Sequence, residues 1–140
     1  MKELVNKDCI ESLQQPGAPI IIVAAVKEAE AIAYACKDFN INVLAFCDSE
    51  KRKSDETFCG FKVIHTPTLP KIYSNARFII ATQQIQDVVE QLSGLGFDEF
   101  YSANELINNY DIDKITCFLY DKHNLSLYVF SFVSHRKSDI

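Results

Sequence analysis

Ile20-Ile21-Ile22-Val23-Ala24-Ala25 is a continuous apolar run. It stands between a Pro16-Gly17-Ala18-Pro19 break and a charged, alanine-rich stretch that begins at Lys27. A strand that is apolar at every position has no face to offer water. It must be covered on both sides, as strands of a parallel sheet are. Residues 27–38 supply one cover, with Ala29, Ile32, Ala33 and Cys36 at helical spacing. The small alanines suit close packing of that helix on a sheet.

The rest of the chain repeats this alternation. Residues 2–14 carry Leu4, Val5, Cys9, Ile10 and Leu13 on one helical face, and Pro16-Gly17 ends that helix. Residues 42–47 read as a second strand, ended by Asp48-Ser49. The polar segment 49–60 reads as a loop, and Phe61 to Ile64 as a short third strand. Pro67 and Pro70 bracket the start of a short helix near 68–74. Arg77 to Ala81 is a fourth strand. Thr82 can cap a helix near 84–94 whose inner face is Ile85, Val88, Val89 and Leu92. Gly94 to Gly96 ends it, Phe97 to Tyr101 is a fifth strand, and residues 103–107 form a helical turn. The pattern β-α-β-(β)-α-β-α-β predicts an α/β fold with a mostly parallel sheet and helices on both faces. The expected strand order is 3-2-1-4-5. The domain is expected over 1–108, with its N-terminal helix, and a C-terminal helical extension or connector over 109–140.

A chain of 140 residues, 48% hydrophobic and 24% charged, fits one globular domain. The net charge of −5 argues against nucleic acid as a partner, since phosphate binding needs clustered Lys and Arg. The one tight basic run, Lys51-Arg52-Lys53, is flanked by Glu50, Asp55 and Glu56 and reads as a solvated loop. Five cysteines, an odd count without a C-x-x-C pair, read as reduced thiols of a cytoplasmic protein. Met1-Lys2-Glu3 leads into a polar helix and does not resemble a signal peptide. Cys36 and Cys47 lie in apolar contexts and read as core residues. His65, His123 and His135 are too far apart in sequence for a zinc motif. No apolar run approaches 18 residues, so no membrane span is expected.

Ligands of open α/β sheets sit beyond the carboxyl ends of the strands, at the switch point of the strand order. Those ends are Ala24 to Lys27, Cys47-Asp48-Ser49, His65-Thr66 and Thr82-Gln83. Asp48 stands about 20 residues past the first turn, the place of a ribose-binding carboxylate. The same residue also reads as a turn starter. A dinucleotide turn is glycine-rich, so that backbone can approach the pyrophosphate. Here the turn is Ala24-Ala25-Val26-Lys27-Glu28-Ala29, with a Cβ at every position. Glu28 and Glu30 suit a helix N-terminus but repel phosphate, and Lys27 alone offsets them. No cofactor is therefore expected: NAD, NADP and S-adenosylmethionine should not bind tightly at this turn. The candidate binding residues are Ala25, Lys27, Asp48 and Thr82, and no catalytic residue is assigned. A Cys47–His65 pair and a purely structural His65 both remain open. Tyr34, Phe39, Phe46 and Phe78 read as core and helix packing.

The stretch from Ile21 to Ile107 resembles the small Rossmann-like domain at the N-terminus of several bacterial sugar-modifying proteins. Such domains precede FkbM-type methyltransferase domains and occur in nucleotide-sugar-binding acetyltransferases. The strand and turn at 20–25 open the unit. Phe46-Cys47-Asp48-Ser49 matches a G-F-x-D element, and Gly60-Phe61-Lys62-Val63-Ile64 a G-x-x-V-I element. Arg77 to Thr82, Gln91 to Phe97 and Tyr101-Ser102 complete it. The tail from Tyr110 weakly resembles the connector into the methyltransferase part, which implies that the chain stops before a catalytic domain. The resemblance implies a nucleotide sugar as ligand. The chain departs from it at the glycine-rich turn.

Three readings of function follow. One is a non-catalytic accessory domain of a sugar-modifying enzyme with weak or vestigial nucleotide-sugar binding. The second is an interaction or oligomerisation module, and the third a small enzyme with an unrecognised site. The tail carries Ile112, Ile115, Phe118, Leu119, Leu125, Tyr128, Val129 and Phe132. That much apolar surface predicts burial against the domain or in a symmetric homodimer.

Overall fold

The computed structural model describes residues 9–25, 27–80, 85–103 and 106. The element order is α1 (Cys9–Gln14), β1 (Ile20–Val23), α2 (Lys27–Asp38), β2 (Val43–Asp48), a 3₁₀ turn (Lys51–Asp55), β3 (Thr57–Phe58) and β4 (Phe61–His65). A second 3₁₀ turn (Thr66–Thr68), α3 (Leu69–Ile72), β5 (Arg77–Ile80), α4 (Ile85–Gly94) and β6 (Phe100–Ser102) follow. The expected tail at 109–140, its dimer and the 2–8 part of the expected N-terminal helix lie outside the described residues.

The sheet has six strands in the order β3-β4-β2-β1-β5-β6. Five are parallel, and β3 is antiparallel to β4. The expected five-strand order is thus corrected by an added edge strand, taken from the segment read as a loop. The cause is the Cys59-Gly60 pair, whose φ angles of 53° and 81° close a two-residue hairpin. Positive φ at both central residues gives a turn whose twist matches that of the strands. Phe58 and Phe61, opposite each other in this hairpin, both set their rings edge-on against Phe46. That aromatic cluster fixes the hairpin to the sheet.

Two cores flank the sheet. On one face Ile20, Ile22, Phe46, Val63 and Ile79 pack against Leu13 of α1 and against Ala29, Ile32, Ala33 and Cys36 of α2. On the other, Ile21, Val23, Cys47, Ile64, Phe78 and Ile80 pack against Leu69 of α3 and Val89 and Leu92 of α4. The strict alternation along β1 reflects the period of two in a strand. The pairing of β1 with β2 slips between Ile20 and Ile21, which turns Leu44 outward to 44% exposure. Both long helices end in the same way. Asn40 (φ 60°) follows α2 and Gly96 (φ 99°) follows α4. Each left-handed residue lets the next amide reach back into the helix, Ile41 to the Cys36 carbonyl and Phe97 to the Leu92 carbonyl.

Candidate functional site at the carboxyl edge of the sheet

The parallel strands bring the ends of β1, β2 and β4 side by side. Val23 pairs with Cys47, and Asp48 with His65. Ala25 and Asp48, both buried, lie together there. The Asp48 carboxylate accepts the Ala25 N–H at Oδ2 (2.9 Å) and the Glu50 N–H at Oδ1 (2.8 Å). One side chain therefore ties the turn after β1 to the turn after β2. Hydrogen bonds of this charged kind contribute roughly 1.5–3 kcal/mol each.

Lys53 closes over the pair. Its Nζ donates to the Ala25 carbonyl at 3.1 Å and stands 3.5 Å from both Asp48 Oδ2 and Glu50 Oε2. The 3₁₀ turn over 51–55 positions it, so part of the basic run read as a solvated loop reaches into the site. Arg52 does behave as read: it pairs with Glu50 at 3.1 Å with its side chain 82% exposed. Lys53 had a faint signal in the sequence, a lysine five residues past a strand-ending aspartate.

Of the candidate binding residues, Ala25 and Asp48 touch and Lys27 is exposed at the start of α2. Thr82 and Val26 lie outside the described residues. Cys47 and His65 share the edge but do different things. Burial pushes the Cys47 thiol from its ordinary 9.0 up to about 12, with the Asp48 charge adding to the rise and a hydrogen bond with Thr66 opposing it. A thiol in that state is protonated at neutral pH and is no nucleophile. The His65 Nε2 lies 3.2 Å from the Ser49 carbonyl, a contact that becomes a hydrogen bond with the proton on Nε2. Each of the two therefore has its own partner in the loops. Among the described residues, no three His, Cys, Asp or Glu side chains cluster as metal ligands, and no helix is long and apolar enough to cross a membrane.

Phe46 and Phe78 are fully buried as expected, but Tyr34 is 37% exposed. It lies on the flank of α2 in a groove of about 560 Å³ that has no signature in the residue pattern. Comparison with known protein families, curated proteins and solved structures gives no match.

Proposed function

We propose that the chain is a non-catalytic Rossmann-like accessory domain of a sugar-modifying enzyme, with weak nucleotide-sugar binding at the carboxyl edge of its sheet. The observation that carries the reading is the bond from the Ala25 N–H to Asp48. Backbone amides of the first turn are what a nucleotide-binding α/β unit offers a pyrophosphate. Here one of them is already taken by a carboxylate of the same chain, which also sets negative charge where phosphate would come. Lys27, exposed at the head of α2, is the group left to meet a diphosphate. The sugar-modifying context comes from the sequence resemblance over Ile21 to Ile107.

The test is a titration with UDP-glucose, NAD and S-adenosylmethionine, followed by backbone amide shifts and calorimetry. UDP-glucose should move the amides of Ala25, Lys27 and Asp48 to Lys53, with a dissociation constant above about 10 μM, or about −7 kcal/mol. Tighter binding of any of the three at this edge overturns the reading. So does the lack of a saturable shift there at the highest soluble UDP-glucose concentration.

A further inference from the structure

The groove beside Tyr34 lies away from the Asp48 cluster. It follows the flank of α2 to the amino edge of the sheet, where Asn42 leads into β2 and the hairpin carries Phe61. Its volume, about 560 Å³, is that of a small-molecule site. Glu30, Tyr34 and Lys37 fall on one helical face of α2, at spacings of four and three residues. Asn42 and Phe61 complete the wall opposite.

The chemistry of this lining is specific. Tyr34 and Phe61 offer aromatic surface, on which the apolar C–H face of a ring can lie. Asn40 and Asn42 each carry a carbonyl acceptor and two N–H donors on one side chain. The charged groups of the lining are one carboxylate, Glu30, and one ammonium, Lys37. Their formal charges sum to zero, so the lining carries no cluster of cations such as a phosphate would call for. Donors and acceptors side by side on Asn40 and Asn42, next to aromatic surface, match a ring with one apolar face and a rim of hydroxyls, each of which both donates and accepts. We infer that this groove binds a neutral pyranoside, its C–H face on Tyr34 and its hydroxyls on Asn42 and its neighbours. The site stands apart from the carboxyl-edge reading, and either can fail without the other.

The experiment is an amide-shift titration of the whole chain with methyl glucoside, methyl galactoside and methyl mannoside, and with glucose 1-phosphate as the charged counterpart. At least one neutral glycoside should give saturable shifts at Tyr34, Asn40 and Asn42 while Ala25 and Lys53 stay unmoved. Tyr34→Ala and Asn42→Ala both change exposed side chains, so an unchanged spectrum elsewhere confirms the fold. Tyr34→Ala should weaken binding up to about tenfold, the upper range of one aromatic contact. Asn42→Ala should weaken it as well. Three results overturn the inference. One is the absence of saturable shifts with all three glycosides. Another is binding that neither substitution weakens. The third is glucose 1-phosphate binding more tightly at these residues than any neutral glycoside.

Discussion

At the amino edge of the sheet Arg77 buries a guanidinium among backbone carbonyls, and at the carboxyl edge Asp48 buries a carboxylate among backbone amides. Arg77 opens β5 and donates to Ala18 (2.8 Å), Gln15 (3.0 Å) and Ser12 (3.2 Å). It thereby adds a donor to the Ser12 carbonyl, which also accepts the Gln15 amide, and serves the Gln15 and Ala18 carbonyls in the turn that follows α1. Gly17 packs so close that a Cβ there would come within 3.2 Å of the guanidinium carbon. Among the described residues no carboxylate pairs with Arg77, and its partners there are backbone carbonyl dipoles. Asp48 has dipoles too, but adds Lys53, a counter-ion with its side chain 31% exposed. The amino edge is thus closed by a group that cannot leave, and the carboxyl edge by one that can.

The largest effect is expected at the closed edge. Arg77→Met removes three hydrogen bonds from a charged donor; the Ser12 carbonyl keeps the Gln15 amide, while the Gln15 and Ala18 carbonyls lose the guanidinium. It should destabilise the domain by about 3 kcal/mol or more in urea unfolding. A cost below about 1 kcal/mol, the range of ordinary surface changes, would break the comparison.

Asp48→Ala comes next. It orphans the Ala25 and Glu50 amides, and the expected cost is about 2 kcal/mol. The loss should be local, so amide exchange should rise first at Ala25 and Glu50 while the β5 amides stay protected. A uniform rise through the sheet would show that the two edges are not separate.

Much of this architecture was legible in the residues. The all-apolar run at 20–25 demanded two covers, and the helical spacing in 27–38 and 84–94 supplied them. What could not be read were interactions that depend on where loops return. An arginine at the start of a strand gives no sign that α1 ends over it. Cys-Gly lacks the Asn or Asp that marks a two-residue hairpin, so β3 has no turn signal and reads as loop. The exposure of Leu44 has no mark in the strand 42–47 itself, because the slip between Ile20 and Ile21 is a property of the pairing and not of either strand. The place of the candidate site was legible through Asp48, but its use was not, since the partner amide of Ala25 is 23 residues away.

Cys47 probes the same carboxyl edge through pH. Its thiol is held protonated in the fold, up to about 12, and ionises near 9.0 once unfolded. Between those values the unfolded chain binds fewer protons than the folded one, so stability falls as pH rises. Below 9 the contribution is complete. Above it the loss approaches about 1.4 kcal/mol per pH unit for this one group. Cys47→Ala should flatten the slope of stability between pH 9 and about 11, although it costs some stability at pH 8 by leaving a small cavity. An unchanged slope in the variant would mean that another group governs alkaline unfolding.

The smallest effect is expected at Lys53, and it decides whether the carboxyl edge is as open as the comparison makes it. Lys53→Met keeps the aliphatic stem and removes the ammonium from Ala25, Asp48 and Glu50. The Asp48 carboxylate keeps its two amides, and nearby water can take the place of a group whose side chain is already one-third exposed. Part-exposed ion pairs contribute roughly 0–1 kcal/mol, and salt screens them. The cost should therefore stay below about 1 kcal/mol and shrink between low and high ionic strength. If Lys53→Met instead cost as much as Asp48→Ala, and salt did not reduce it, the lysine would be a fixed part of the edge. Both edges would then be closed, and no group there could give way to a ligand.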